Sequence, residues 1–303
     1  MHRSTANCLL LLAAAIWGMG FIAQSTAMDA IDPIIFTGVR FAVAALVLLP
    51  FAVWEHRSGS VRPEAEPPLG FAISVLIGAV LFGALASQQI GLVTTTVTNS
   101  GFLTGSYVIM VPILSALVLR VVPLGITWLG ASFTLLGIAL LTNASPTGVT
   151  AGDLWTLLCA LFWAVHVLMV GVFAPKTGYP FRLAALQFAV CGVIGIGIGF
   201  VVETVSVETI LAAWREILFT GIFSGGAAFT IQILAQRHTT PSQAAIFLSA
   251  EALFAALLGA LLLGERLGTL GYVGCALMFA AMVLVELFGG RAPTTPKAGA
   301  HAK

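Results

Sequence analysis

Charge is scarce in this chain: Asp, Glu, Lys and Arg make up 8% of its 303 residues, against about 25% in soluble domains. A soluble fold is excluded, because no long stretch is free of apolar runs. The 13 Lys and Arg against 12 Asp and Glu leave a net charge of +1, too thin a footprint for nucleic acid. Cysteine is scarce too. Cys8, Cys159, Cys191 and Cys275 all sit inside apolar runs and read as small apolar residues. They form neither a disulfide framework nor a CxxC metal pattern. No HExxH, Walker A or Ser/His/Asp spacing stands out, so no catalytic residue, metal ligand or cofactor is expected. What the sequence does have is apolar: 59% of the residues, with 32 glycines besides, at a mean hydropathy of +1.06. At about 20 residues per spanning helix, that supply suffices for ten. The composition is that of a polytopic membrane protein whose solvent is the lipid bilayer.

The apolar runs cover residues 7–27, 33–54, 69–91, 97–119, 124–142, 153–174, 181–203, 216–236, 241–264 and 268–288. Short separators between them carry helix breakers, among them Asp32-Pro33, Pro175 to Pro180 and His238 to Pro241. Barrel strands would alternate over segments of ~10 residues, whereas these runs are continuous, so they predict helices. The first run exceeds the core of a signal peptide and nine more follow, which makes it helix 1. With the loops on alternate sides, Arg3, Arg57, Arg62, Arg120, Lys176, Arg182, Arg237, Arg291, Lys297 and Lys303 share one side. Arg215 and Arg266 fall on the other, and Arg40 lies within helix 2. Positive residues stay inside, so both termini are predicted to be cytoplasmic, in an inner (cell) membrane.

The two halves repeat each other. A shift of 144 residues lays Gln88–Leu140 over Gln232–Leu284 without a gap: Gln88 meets Gln232, Thr95-Thr96 meets Thr239-Thr240, and Asn99 meets Gln243. A shift of 147 lays Pro33 on Pro180 and Phe41-Ala42-Val43 on Phe188-Ala189-Val190, and a shift of 146 lays Trp17 on Trp163. Leucine matches arise by chance in so apolar a chain, but polar and proline matches in register do not. Five helices per half is an odd number, so the second half enters the membrane from the opposite side. Such an inverted repeat is the architecture of alternating-access transporters, with a site near the midplane between the halves.

Three segments also carry a resemblance: AIWGMGFIAQ at Ala15–Gln24, SGFLTGSYVIMVPILSALVLR at Ser100–Arg120, and SAEALFAALLGALLLGERL at Ser249–Leu267. Over essentially its whole length the chain resembles the EamA-type members of the drug/metabolite transporter superfamily. In that family Glu-Pro commonly precedes an apolar run ending in Leu-Gly-Glu. Here Glu251 is followed by Ala252, so the proline that would bend helix 9 is missing. The resemblance implies ten helices in two repeats and transport of a small metabolite, often export.

Polar residues inside the membrane are the candidate site. Glu251 lies near mid-depth in helix 9, where a carboxylate is costly unless partnered or facing a cavity. It reads as a proton carrier or a counter-ion for an ammonium substrate, or else as a protonated, hydrogen-bonded structural group. Its repeat mate Tyr107 can stack on a ligand or simply pack. Trp17 and Trp163 sit in mid-helix, away from the interfacial belts that tryptophan prefers. They suit the walls of a substrate cavity, or core packing. His166, one turn from Trp163, is a candidate proton shuttle or a neutral core residue. Gln88, Asn99, Gln232 and Gln243 suit substrate contacts or interhelical hydrogen bonds, and Gln89 suits the latter. Arg40 either snorkels towards Asp29 or Asp32 or holds a substrate carboxylate, and its mate is Gln187. The pairs Gly101/Gly105, Gly195/Gly199 and Gly221/Gly225 suit close helix packing within one monomer.

The prediction is an all-α integral membrane protein with ten transmembrane helices in two inverted five-helix EamA repeats, residues 1–143 and 150–290, and a disordered cytoplasmic tail over 291–303. Its expected function is secondary transport, as an exporter, of a small organic metabolite such as an amino acid or drug-like compound. Trp17, Gln88, Asn99, Tyr107, Trp163, Gln232 and Gln243 are expected to bind substrate, and Glu251, His166 and Arg40 to handle charge and protons. The rival class is an integral-membrane transferase acting on lipid-linked substrates. Such an enzyme should gather its polar groups near one interface, whereas this chain concentrates them at mid-depth. A channel is the third option, disfavoured by the unlike mates Glu251/Tyr107 and Arg40/Gln187.

Overall fold

The computed structural model describes residues 1–58, 70–95, 97–142, 150–263 and 267–290. Ten helices are long and apolar enough to cross a membrane. They are α1 (Arg3–Ala27), α2 (Pro33–Arg57), α3 (Gly70–Thr94), α4 (Ser100–Val118), α5 (Gly125–Thr142), α6 (Ala151–Phe173), α7 (Pro180–Val202), α8 (Trp214–Gln236), α9 (Pro241–Leu258) and α10 (Thr269–Phe288). No strand occurs among the described residues. Prolines at the first turns of α2, α7 and α9 open those helices, where the missing N–H costs nothing. The expected tail over 291–303 lies outside the described residues.

The packing obeys the repeat. α2 lies along α7 and α5 along α10, each helix against its own mate, while α3 on α6 is matched by α8 on α1. Glycine sets the closest approach. A Cβ on Gly195 of α7 would come 2.6 Å from the Gly38 Cα of α2, and one on Gly137 of α5 would come 2.7 Å from the Gly274 carbonyl of α10. Only bare backbone allows such contact. Gly195, Gly199, Gly221 and Gly225 all face α2 of the same chain.

α2 and α7 run antiparallel and cap each other. The Glu203 carboxylate, just past α7, accepts the N–H groups of Ile34 and Ile35 at 2.8 and 2.7 Å. At the other end the Glu55 carboxylate of α2 accepts those of Phe181 and Arg182 at 3.3 and 2.9 Å. Each carboxylate satisfies first-turn donors that lipid cannot satisfy.

Three helices are irregular. α4 is interrupted at Ser106, between a helix over Val97–Gly105 and another over Tyr107–Val118. α9 is interrupted at Ser249 and Ala250, between Pro241–Leu248 and Glu251–Leu263. The missing proline does not prevent the break. Ser106 Oγ donates to the Leu103 carbonyl at 2.6 Å and Ser249 Oγ to the Ile246 carbonyl at 2.7 Å, and such back-bonding bends helices. Tyr107 and Glu251, mates at a shift of 144, thus each open a half-helix in mid-membrane. α8 differs in kind: Thr220–Ala228 is wound as a π-helix.

Candidate functional site

A cavity with about 430 Å³ of empty volume lies where the two halves meet. Its floor is aromatic. Trp17 of α1, Trp163 of α6 and Phe229 of α8 meet edge to face or tilted, with ring centroids 4.8–5.5 Å apart, the geometry that ring quadrupoles favour. Phe21 and Gln24 follow Trp17 at helical spacing on α1 and also line the cavity, as do Leu85 and Gln88 of α3 and Thr104 of α4.

Two opposite charges line the same space. Arg40 is 2% exposed and turns inward: its Nη1 donates to Gln24 Oε1 at 2.7 Å, while Nε and Nη2 have no partner. The guanidinium carbon lies 4.9 Å from the Phe36 ring centre and 5.3 Å from that of Phe41. It makes no ion pair with Asp29 or Asp32. Glu251 is 8% exposed and lines the cavity at the start of its half-helix, where the helix dipole favours a carboxylate. Among the described residues its side chain has no hydrogen-bond or ion-pair partner. Buried charges in a membrane are normally paired, whereas neither Arg40 nor Glu251 has an ion-pair partner among the described residues.

The structure thus brings Trp17, Gln88, Trp163, Arg40 and Glu251 together. It places the other candidates elsewhere. Tyr107 is fully buried behind the wall, its ring 6.3 Å from that of Trp163. His166 stacks on Trp163 at 5.8 Å and its Nε2 meets Gln187 Oε1 at 3.0 Å. Gln232 donates to Gln236 Oε1 at 2.9 Å, and Gln236 in turn to the Val167 carbonyl at 3.0 Å, which fastens α8 to α6. Gln243 ties the start of α9 to the end of α10 by donating to the Gly290 carbonyl at 3.0 Å. Asn99 belongs to the first half of α4, and its side chain lies outside the described part of the structure.

Sequence reasoning missed Gln24, Thr104, Ser224 and Phe229. Two of them left a signal: Gln24 stands two turns from Trp17 on the same helix face, and Phe229 is the mate of Leu85 at the shift of 144.

The sequence pattern of the EamA-like transporter family matches residues 4–143 and again 150–287. An uncharacterized transporter of Archaeoglobus fulgidus is 31% identical over 95% of this chain and 87% of its own length. The uncharacterized inner membrane transporter YedA of Escherichia coli is 21% identical over 90% of this chain and 87% of its own. A solved crystal structure, 18% identical, superposes with a TM-score of 0.77 over 95% of this chain and 98% of that one, a likeness of fold.

Proposed function

This chain belongs to the EamA-like transporter family, and on that premise we propose that it exports a small zwitterionic metabolite, amino-acid-like in its charges, by alternating access. One observation carries the reading: Arg40 and Glu251, both buried and unmatched, line one aromatic-walled cavity. The two free nitrogens of Arg40 suit a substrate carboxylate, which a guanidinium grips in a planar, two-pronged fashion. Glu251 suits the ammonium, and the rings of Trp17, Trp163 and Phe229 suit an apolar body between them. With the substrate bound, both buried charges are neutralised, so the loaded carrier crosses between its two open states at lower cost than the empty one. The breaks before Tyr107 and Glu251 supply hinges at matched depth in the two halves. When no substrate is bound, a proton on Glu251 serves the same neutralising role, which would couple transport to a pH gradient. The Lys and Arg distribution further supports a reading with both termini in the cytoplasm.

Counterflow in proteoliposomes tests this. An amino acid should compete at least tenfold better than its decarboxylated amine or its deaminated acid, consistent with about 1.4 kcal/mol or more for each lost ionic contact. Arg40→Gln should erase the advantage over the amine, and Glu251→Gln the advantage over the acid. Equal competition by all three compounds in the wild type would remove the zwitterion reading.

A further inference from the structure

The face between α1, α9 and α10 carries a larger hollow whose lining is separate from that of the aromatic-walled cavity. About 930 Å³ of empty volume lies between Cys8 and Leu11 of α1, Phe254 and Leu257 of α9, and Phe279 and Val283 of α10. Leu257, Phe279 and Val283 are exposed on helices surrounded by lipid, so the hollow opens to acyl chains. It extends along α10 from Phe279 to Glu286, roughly 10 Å at about 1.5 Å per residue. That fits within one leaflet of a hydrocarbon core ~30 Å thick.

Only one end is polar, and it is the end where α1 begins and α10 finishes. Ser4 Oγ and Asn7 Nδ2 each donate to the Glu286 carboxylate at 2.5 Å. The Arg3 guanidinium donates to the Glu286 and Gly289 carbonyls and stands 4.0 Å from that carboxylate. Arg3 and Glu286 balance in charge, but one acceptor is left without a donor. Asn7 lines the hollow, is 2% exposed, and its Oδ1 has no donor. A buried acceptor without a donor is unfavourable, and lipid chains cannot supply one.

We propose that the hollow binds one phospholipid with a primary-amine headgroup, of the phosphatidylethanolamine class. One acyl chain lies along α10, the phosphate meets Arg3, and the ammonium donates to Asn7 Oδ1 and the Glu286 carboxylate. Headgroup chemistry decides the class. A quaternary ammonium has no N–H to give Asn7, and an anionic headgroup meets Glu286 with no amine to offset it. Phe254, in the wall of the hollow and one turn from Glu251, also packs against Gly18 of α1, the residue after Trp17, so the lipid backs the helix pair that carries Trp17 and Glu251.

Native mass spectrometry of the full-length protein in detergent, titrated with phosphatidylethanolamine, phosphatidylcholine and phosphatidylglycerol of identical chains, tests the proposal. One phosphatidylethanolamine should remain bound at a concentration at least tenfold below that needed for the other two. Val283→Trp, which fills the hollow, should abolish retention of all three, and Leu257→Trp should do the same should the first variant melt early. Asn7→Leu should keep the chain contacts but lower phosphatidylethanolamine to the phosphatidylcholine level. Equal retention of the three lipids, a preference for phosphatidylglycerol, or undiminished retention in a folded Trp variant each overturns the assignment. So does a dimer that forms in place of lipid binding.

Discussion

α3 and α8 hold equivalent places in the two halves, yet they are wound differently. Gly78 of α3 lies against the Gln187 carbonyl of α7, and Gly221 of α8 lies against the Arg40 carbonyl of α2. These two glycines are 143 residues apart, whereas Gln88 and Gln232 further along the same helices are 144 apart. Between matched landmarks α8 therefore holds one extra residue. It accommodates that residue as the π-turns of Thr220–Ala228, where α3 stays a regular α-helix. A π-bulge absorbs an insertion while both flanks keep their faces. The scaffold stays symmetric and the site does not. Trp17, packed on α8, donates its indole N–H to the Ser224 carbonyl in the π segment at 3.0 Å. The indole N–H of its mate Trp163 makes no hydrogen bond of normal geometry. One tryptophan of the pair is fastened to the backbone of the opposite half, and the other is not.

The largest effect should come from erasing that difference. Deleting Gly226 restores the spacing of α3, so Gly221 and Gln232 keep their contacts while the carbonyl that serves Trp17 is withdrawn. The variant is expected to reach the membrane and to melt as a folded protein, but with counterflow at least tenfold below wild type. Normal transport in the deletion variant would mean that the π-turns are incidental to the site.

A smaller effect separates the two tryptophans. Trp17→Phe keeps a ring but loses a buried hydrogen bond, and should lower stability by about 1–2 kcal/mol. Trp163→Phe loses the same ring volume but no hydrogen bond of normal geometry, so it should cost about 1 kcal/mol less than Trp17→Phe. Its effect should appear instead as weaker substrate binding, read as a raised half-saturation in counterflow. Equal destabilisation by the two substitutions would contradict the asymmetry.

Much of this was legible in the residues. Ten helices follow from ten apolar runs, and the repeat follows from polar residues and prolines in register. Trp17, Trp163, Gln88, Arg40 and Glu251 stood out because each is expensive or misplaced at mid-depth, and these five line one cavity. The π segment was hidden because its only trace is a one-residue change of register within a glycine-rich stretch. There Gly221 and Gly225 speak of close packing and not of winding. The inward turn of Arg40 was hidden because its partner, Gln24, reads as an ordinary amide. His166 and Gln187 bond across α6 and α7, and that pairing depends on which faces of two helices meet, which hydropathy does not encode. The break in α9 was obscured by reading proline as its cause, when serine back-bonding accompanies it in both halves.

The smallest expected effect tests the symmetric part of the comparison, the mutual capping of α2 and α7. Burial raises the Glu203 carboxyl above its ordinary 4.5, against the pull of the Ile34 and Ile35 N–H groups, and nearby Asp32 adds to the rise. The folded protein therefore keeps a proton there that the unfolded chain releases near pH 4.5. The stability from this proton is fully present below that pH and is lost as the pH rises through the raised value. Glu203→Gln keeps one acceptor for the helix start but cannot titrate. Melting temperature in detergent should fall from pH 4 to neutrality in the wild type, and the fall should be shallower in Glu203→Gln. Subtracting the two curves cancels every other titrating group and isolates this clamp. Parallel curves across that range would show that the carboxyl has the same affinity for protons in the folded and unfolded chains, and that burial of the clamp carries no charge penalty.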